Sequence, residues 1–327
     1  MYKVSKTKLK KIISGFKNKR ILVVGDLMLD KYIWGNVTRI SPEAPIPIVH
    51  VSKEETKPGG AANVVLNLID LGAKVYCAGV VGKDASGHEL ITYLKKNKVD
   101  CSSIILDPER PTTIKTRVIA HQQQVVRIDK EKSVPVKESI LNKIINKLKK
   151  LKEKIDAVIL SDYNKGIFTL SSVHEIINVM RGKIITVDPK PRNLKFFRNV
   201  TLISPNKKEA SEATSIIIEN ERDILHAARE LKNLINAEAI LITRGEEGMS
   251  LYDGHNLTTI PTHAREVYDV TGAGDTVISV ATIALTCGAT FKEAAILSNI
   301  AAGIVVAEVG VATVNPQELM DAIKNEI

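Results

Sequence analysis

Asp275 follows three small residues, Gly272, Ala273 and Gly274, in the run YDVTGAGDTV, and an apolar stretch begins directly behind it. An Asp beside glycines is ordinary turn chemistry, and the segment taken alone allows that reading. It also allows a phosphate cradle. Amides at the entry of a helix lack intrahelical partners and the helix dipole adds to them, so they bind anions. A carboxylate among bound phosphates would repel them, which suits a separate role, that of accepting the proton of a hydroxyl that attacks phosphorus.

Other polar residues end short apolar runs. Gly25, Asp26 and Asp30 follow the first; Asp162, Asn164 and Lys165 follow DAVILS; Asp188 and Lys190 follow IITV; Asn206 and Glu209 follow LIS; Thr243, Arg244 and Gly245 follow AILI. In an open parallel sheet, ligands gather at the carboxyl ends of strands. Acids and bases around one such rim would handle hydroxyls, phosphates and a divalent metal, although each alone could be a cap or a solvated loop residue. KPGGAANVVLNL places Gly59 and Gly60 at a helix start, where a ligand or a packed strand could approach the backbone, and the Asn63 amide could bond sugar hydroxyls. Neither GxxxxGK[ST] nor a GxGxxG after the first strand occurs, so a nucleotide would need another device, and TGAGD is the candidate.

The elements that must position these residues alternate. ILVVGD, KVYCAGVVG, DAVILSDY, IITVDPK, LISPN and AILITRG read as buried strands. AANVVLNLIDLG, ASGHELITYLKKN, the basic stretch at 140–152, SSVHEIINVMRG and RDILHAARELKNLI read as helices between them, and the chain from Val270 onward is helical and apolar. This predicts an α/β fold with a mostly parallel central sheet between two helical layers. Two segments, about 37–56 and 112–130, alternate without helical period and are expected to form a small antiparallel sheet projecting from the core as a lid.

At 327 residues the chain can form one large domain with an appendage or two ordinary ones. Hydrophobic residues make up 44% and aromatics 4%, so the core must come from Ile, Val, Leu and Ala. Residues 1–20 contain no acid and carry much of the +9 net charge, as does NKLKKLKEK. These runs lack aromatic interleaving and a binding motif, so solvated faces are expected rather than nucleic-acid contacts, and the positive field favours anionic substrates. Cys77, Cys101 and Cys287 are widely spaced and suggest neither a zinc site nor a disulfide framework. No signal-like or membrane-spanning apolar run is present, so no membrane role and a cytoplasmic location are expected.

Over Ile21 to Val314 the chain resembles the ribokinase-like (PfkB) carbohydrate kinases. The early GD, PGGAANVVLNLIDLGA, VGKDASG, the NKKE quartet, TRGEEG and DVTGAGD carry the likeness. GDLMLDKYIWGNVTRISPEAPIPIV, TIKTRVIAHQQQVVRID, SDYNKG and VDPK are similar to the heptose 7-phosphate kinases of lipopolysaccharide precursor synthesis, often joined to a nucleotidyltransferase domain; here a stand-alone kinase of residues 21–327 is expected, preceded by the basic segment 1–20.

The resemblance implies a ribokinase-like fold, ATP and Mg2+ as cofactors, Asp275 as general base, and Gly272, Ala273 and Gly274 as anion hole. Asn206 and Glu209 would organise the metal, Glu209 through water, and Thr243, Arg244, Gly245, Gly248 and Asn299 would line the nucleotide. Asp30, Gly59, Gly60 and Asn63 would hold sugar hydroxyls. Arg39, Gln123 and Gln124 would close from the lid. Lys165, Lys190 and Arg117 are the candidates, in that order, for the sugar's distal phosphate. His121 and Gln122 depart from a more basic pair expected in the lid. Exposed edges and apolar lid strands suggest a homodimer through the lid. Another sugar kinase and a non-catalytic binder are the alternatives.

Overall fold

The computed structural model describes residues 4–121, 123–262, 267–308, 310 and 312–326. Its strands are β1 (Arg20–Gly25), β2 (Leu27–Ile40), β3 (Pro47–Gly60), β4 (Lys74–Gly82), β5 (Asp100–Asp107), β6 (Thr113–Ala120), β7 (Gln123–Lys130), β8 (Ala157–Ser161), β9 (Ile184–Asp188), β10 (Leu202–Ile203), β11 (Ala239–Thr243), β12 (Met249–Tyr252) and β13 (Leu257–Ile260). Nine of them form one sheet in the order β13-β12-β11-β10-β9-β8-β1-β4-β5. From β11 to β5 the pairing is parallel, and β12 and β13 extend the far edge antiparallel.

The continuous apolar runs follow from burial on both faces. Ile21 and Val23 enter one core while Leu22 and Val24 enter the other, with none of the four exposed. The first core is closed by α1 (Lys6–Ser14), α2 (Ala61–Asp70), α3 (Ala85–Lys96), α8 (Ala273–Thr286), α9 (Phe291–Val305) and α10 (Pro316–Glu326). The second is closed by α4 (Glu138–Leu151), α5 (Leu170–Val179), α6 (Lys207–Thr214) and α7 (Glu221–Ile235). Gly25, Ser161 and Asp188 are direct partners across β1, β8 and β9, which brings three carboxyl ends level.

The second sheet has the order β3-β2-β6-β7. Its β2–β3 and β6–β7 pairs are antiparallel and its central β2–β6 pair is parallel. The strands run deeper than the expected 37–56, starting at Leu27 and ending at Gly60, because β2 and β3 stay paired down to that base. Leu27, Met28, Leu29 and Asp30 are buried on both sides there, so alternation is lost where the lid joins the core. Elsewhere in this sheet, Ile40, Val51, Val126 and Ile128 are 46–59% exposed.

The basic N-terminal stretch is packed rather than appended. Leu9, Ile12, Ile13 and Phe16 lie at helical spacing and are buried in the first core, and Lys8 pairs with Glu293 of α9 at 2.7 Å.

Candidate active site

Gly272 caps α8 with φ +84°, a conformation a side chain would strain, and so opens the helix at the point where its first amides lack intrahelical partners. Asp275 falls in that first turn and is only 4% exposed. Both carboxylate oxygens are held: Asn63 Nδ2 donates to Oδ2 at 2.7 Å and the Tyr163 hydroxyl to Oδ1 at 2.8 Å. Burial pushes the Asp275 pKa up to about 6, opposed by the two donors and by Lys190 and aided by Asp30. Thr276 Oγ1 donates to Asn67 Oδ1 at 2.7 Å, and Asn67 Nδ2 donates to the Asn63 carbonyl at 3.0 Å, so α2 and α8 are locked behind the carboxylate. The Asn63 Oδ1 atom is buried without a partner among the described residues. Of the three amides expected to line the cradle, that of Ala273 turns to the Val270 carbonyl at 3.3 Å, because the TGAG turn closes on itself.

Tyr163 reaches Asp275 from the loop after β8. That loop is organised by Asp26, whose buried carboxylate accepts the amides of Tyr163 at 2.9 Å and Lys165 at 3.0 Å, with Ile167 at 3.5 Å. Asp26, read from sequence as a rim residue, is thus a structural hub. Its pKa is pushed up to about 6 by burial.

Asn206 and Glu209 form a capping box at α6: Asn206 Oδ1 accepts the Glu209 amide at 2.8 Å, and Glu209 Oε2 accepts the Asn206 amide at 2.9 Å. Glu209 Oε1 takes Lys190 at 2.5 Å. Buried Asp188 is near Lys190 and the carboxylates of Asp275, Glu209 and Asp162; burial pushes its pKa well up, Lys190 opposes this and the three acids add to it. Lys190 therefore sits on the acidic side with Asp188 and Glu209, with its ammonium 5.5 Å from the Tyr163 ring centre.

On the neighbouring strands, Thr243 bridges to Asn206. Arg244 donates to Glu221 at 2.6 Å and to Ser250 at 3.1 Å, and also pairs with Glu247, so its guanidinium braces the loop carrying Gly245 and Gly248. Asn299 Nδ2 donates to the Pro261 carbonyl at 2.7 Å, tying α9 to the segment after β13.

At the base of the lid, Arg117 Nη1 pairs with Asp30 Oδ1 at 2.5 Å. A Cβ on Gly59 would lie 2.0 Å from Asp30 Oδ2, so this glycine is required for packing the Asp30 carboxylate against β3. Gly60, at φ +56°, caps α2. Lys165 pairs with Glu131 at 2.7 Å.

The structure does not bring Arg39, Gln123 and Gln124 to Asp275. All three are exposed toward the outer end of the lid, and Arg39 stands nine residues beyond Asp30 on β2, roughly 30 Å at the usual strand rise. His121 bonds the backbone of Val37, and Gln122 lies outside the described residues. Two residues that sequence reasoning missed stand at the centre: Tyr163, which stood in plain view within SDYNKG, and Lys115, whose ammonium lies 5.4 Å from the Tyr163 ring centre.

The model of the pfkB family carbohydrate kinases matches residues 18–318. The bifunctional protein HldE of Geobacter metallireducens is 45% identical over 306 residues, covering 92% of this chain and 62% of that protein. HldE of Helicobacter hepaticus is 42% identical, covering 95% and 65%. The chain thus spans slightly less than two thirds of these relatives. Phosphofructokinase-2 from Escherichia coli in complex with potassium has a TM-score of 0.77 at 18% identity, covering 94% of this chain and 99% of that one. Ribokinase from Arabidopsis thaliana, complexed with ribose and ATP, has a TM-score of 0.74 at 20% identity, with the same coverage. At those identities the likeness to both structures is one of fold, a mostly parallel α/β sheet with a small second sheet, whereas the family match spans nearly the whole sequence. The chain belongs to the pfkB family of carbohydrate kinases.

Proposed function

We propose that this kinase transfers the γ-phosphoryl group of ATP to the anomeric hydroxyl of D-glycero-β-D-manno-heptose 7-phosphate, giving the 1,7-bisphosphate, in the cytoplasm. The observation that carries the chemistry is the buried Asp275 carboxylate, clamped by Asn63 and Tyr163 beside the helix-entry amides. The acceptor rests on the subfamily text RISPEAPIPIV and SDYNKG and on the similarity to the HldE proteins. Residues 21–327 form the kinase domain in this reading.

Asp275 takes the acceptor hydroxyl proton as that oxygen attacks the γ-phosphorus; the bond to the β–γ bridging oxygen breaks and ADP leaves. Gly272 and Gly274 give amides to the transferring group, with Ala273 released from its turn when phosphate arrives. Thr243, Gly245, Gly248 and Asn299 line the nucleotide, Arg244 by bracing their loop. Asp30, Gly59, Gly60 and Asn63 shape the sugar side, with the unpartnered Asn63 oxygen open to a hydroxyl donor. Glu209, and Asp188 once a cation offsets the burial that favours its neutral form, would supply hard oxygen donors to Mg2+, held through water in this reading, and among the described residues no cluster of three His, Cys, Asp or Glu side chains converges. When bound, that ion neutralises charge on the phosphates.

Acceptor-dependent ADP release tests the reading: turnover with heptose 7-phosphate well above that with ribose, fructose 6-phosphate or no acceptor is expected, and equal rates with all of them would refute it. The carboxylate must be ionised to accept a proton, so activity is lost as pH falls through about 6. Tyr163→Phe removes a donor that lowers this pKa, so the acid limb of the kcat/KM profile moves to higher pH, with a loss of up to about 10-fold at alkaline pH. An unmoved limb would mean that the phenol does not govern the base.

The exposed apolar lid residues Ile40, Val51, Val126 and Ile128 are the surface through which two lids pair in a homodimer. Val126→Lys with Ile128→Lys is expected to give monomers by sedimentation at micromolar concentration; an unchanged dimer would place the interface elsewhere.

A further inference from the structure

Four cations stand around Tyr163 or at the adjoining base of the lid, and three are already matched. Arg117 is bonded to Asp30, Lys165 to Glu131 and Lys190 to Glu209. Lys115 makes no ion pair or hydrogen bond with any described residue, although it is only partly exposed. Burial pushes its pKa down; Asp30 and Glu131 oppose this, while Lys165 and Arg127 reinforce it. A partly desolvated ammonium without a counter-ion is costly to keep and becomes favourable when a ligand brings the anion. The nearby Lys165 and Arg127 add to the positive field at this point.

Its position is also defined. Lys115 is the direct partner of Asp30 across the β2–β6 pair, and its ammonium lies over the ring of Tyr163. The hydroxyl of that same ring is bonded to Asp275. An acceptor that offers one hydroxyl to Asp275 and extends over the Tyr163 ring therefore passes within reach of Lys115.

We propose that Lys115 receives the terminal phosphate of the acceptor and so selects a sugar phosphate over the free sugar. This rests on the reading of the protein as a sugar-phosphate kinase with Asp275 as base. Lys165, Lys190 and Arg117 then act from the surrounding ion pairs, as second contacts or as supports for the loop and lid.

The test is steady-state kinetics of the whole chain with heptose 7-phosphate and with the same heptose lacking its phosphate. Lys115→Met is expected to lower kcat/KM for the phosphorylated sugar about 30- to 100-fold, chiefly through KM, the scale of one charge-assisted contact. The value for the free sugar and the KM for ATP should stay within about 2-fold, and Lys115→Arg should recover most of the loss. Inorganic phosphate, competing with the sugar phosphate in the unaltered protein, should compete less well in Lys115→Met. A Lys115→Met protein that keeps the original preference, or one whose loss appears in the KM for ATP, overturns the assignment while leaving the sugar-phosphate reading intact. An unaltered protein that does not prefer the phosphorylated sugar refutes that reading, and the role of Lys115 with it.

Discussion

Asp275→Asn lowers turnover by about 10³-fold, within the usual 10²–10⁴ range for loss of a general base, while the protein stays folded and ATP still binds. The expectation follows from how the carboxylate is held. Asn63 and Tyr163 both donate to it, at 2.7 and 2.8 Å, and Asp275 is almost wholly buried. In the Asn variant one oxygen still accepts a hydrogen bond, but the new NH2 group faces a donor where an acceptor stood, and no atom remains that can take a proton near neutral pH. The side chain keeps its volume, so the α2–α8 contact through Asn67 and Thr276 is retained. Single-turnover rates with saturating ATP and acceptor give the comparison, and circular dichroism and ATP titration serve as controls. Turnover within 10-fold of the unaltered protein would remove Asp275 from the role of base.

The sequence makes some of this arrangement readable and hides the rest for physical reasons. ILVVGD, DAVILS, IITV and AILI announce buried parallel strands because both faces are covered, and the polar residues after them do lie at neighbouring carboxyl ends. The docking of α1 is obscured by its charge: lysines dominate the composition, but Leu9, Ile12, Ile13 and Phe16 are the side chains buried in the core. Charge is visible in a sequence and pairing is not. Charge and position rank Lys165, Lys190 and Arg117 in that order as letters, and only the fold gives each a carboxylate and leaves Lys115 unpaired among the described residues. Tyr163 escapes for a related reason. A single aromatic in a polar loop has no periodicity, and its partner Asp275 is 112 positions away. The same fold separates residues that looked alike in promise: β2, although its pairing with β3 is irregular at Trp34/Gly35 and Val37/Arg39, carries Arg39 nine residues beyond Asp30.

Asp26→Ala is expected to destabilise the protein by about 3–5 kcal/mol at pH 7.5, the scale for stripping a buried charged acceptor from several donors, and to abolish most activity at temperatures where the unaltered protein works. The side chain of Asp26 collects the amides of Tyr163, Lys165 and Ile167, while its backbone amide donates to the Ser161 carbonyl and its own carbonyl accepts the Ala61 amide that opens α2. Removing the carboxylate leaves the loop amides without acceptors in a region closed to water, and the loop must open to hydrate them. Opening it moves Tyr163, so the Asp275 clamp is lost together with the local fold. Asp26→Asn separates the two effects. It keeps the shape and one acceptor oxygen, so a smaller destabilisation, about 1–2 kcal/mol, is expected, with an acid limb displaced in the same direction as in Tyr163→Phe. Urea unfolding at fixed pH gives the stability and pH–rate profiles give the clamp. An Asp26→Ala protein of unaltered unfolding midpoint would mean that the loop holds its place without the hub, and the path from Asp26 through Tyr163 to Asp275 would have to be abandoned.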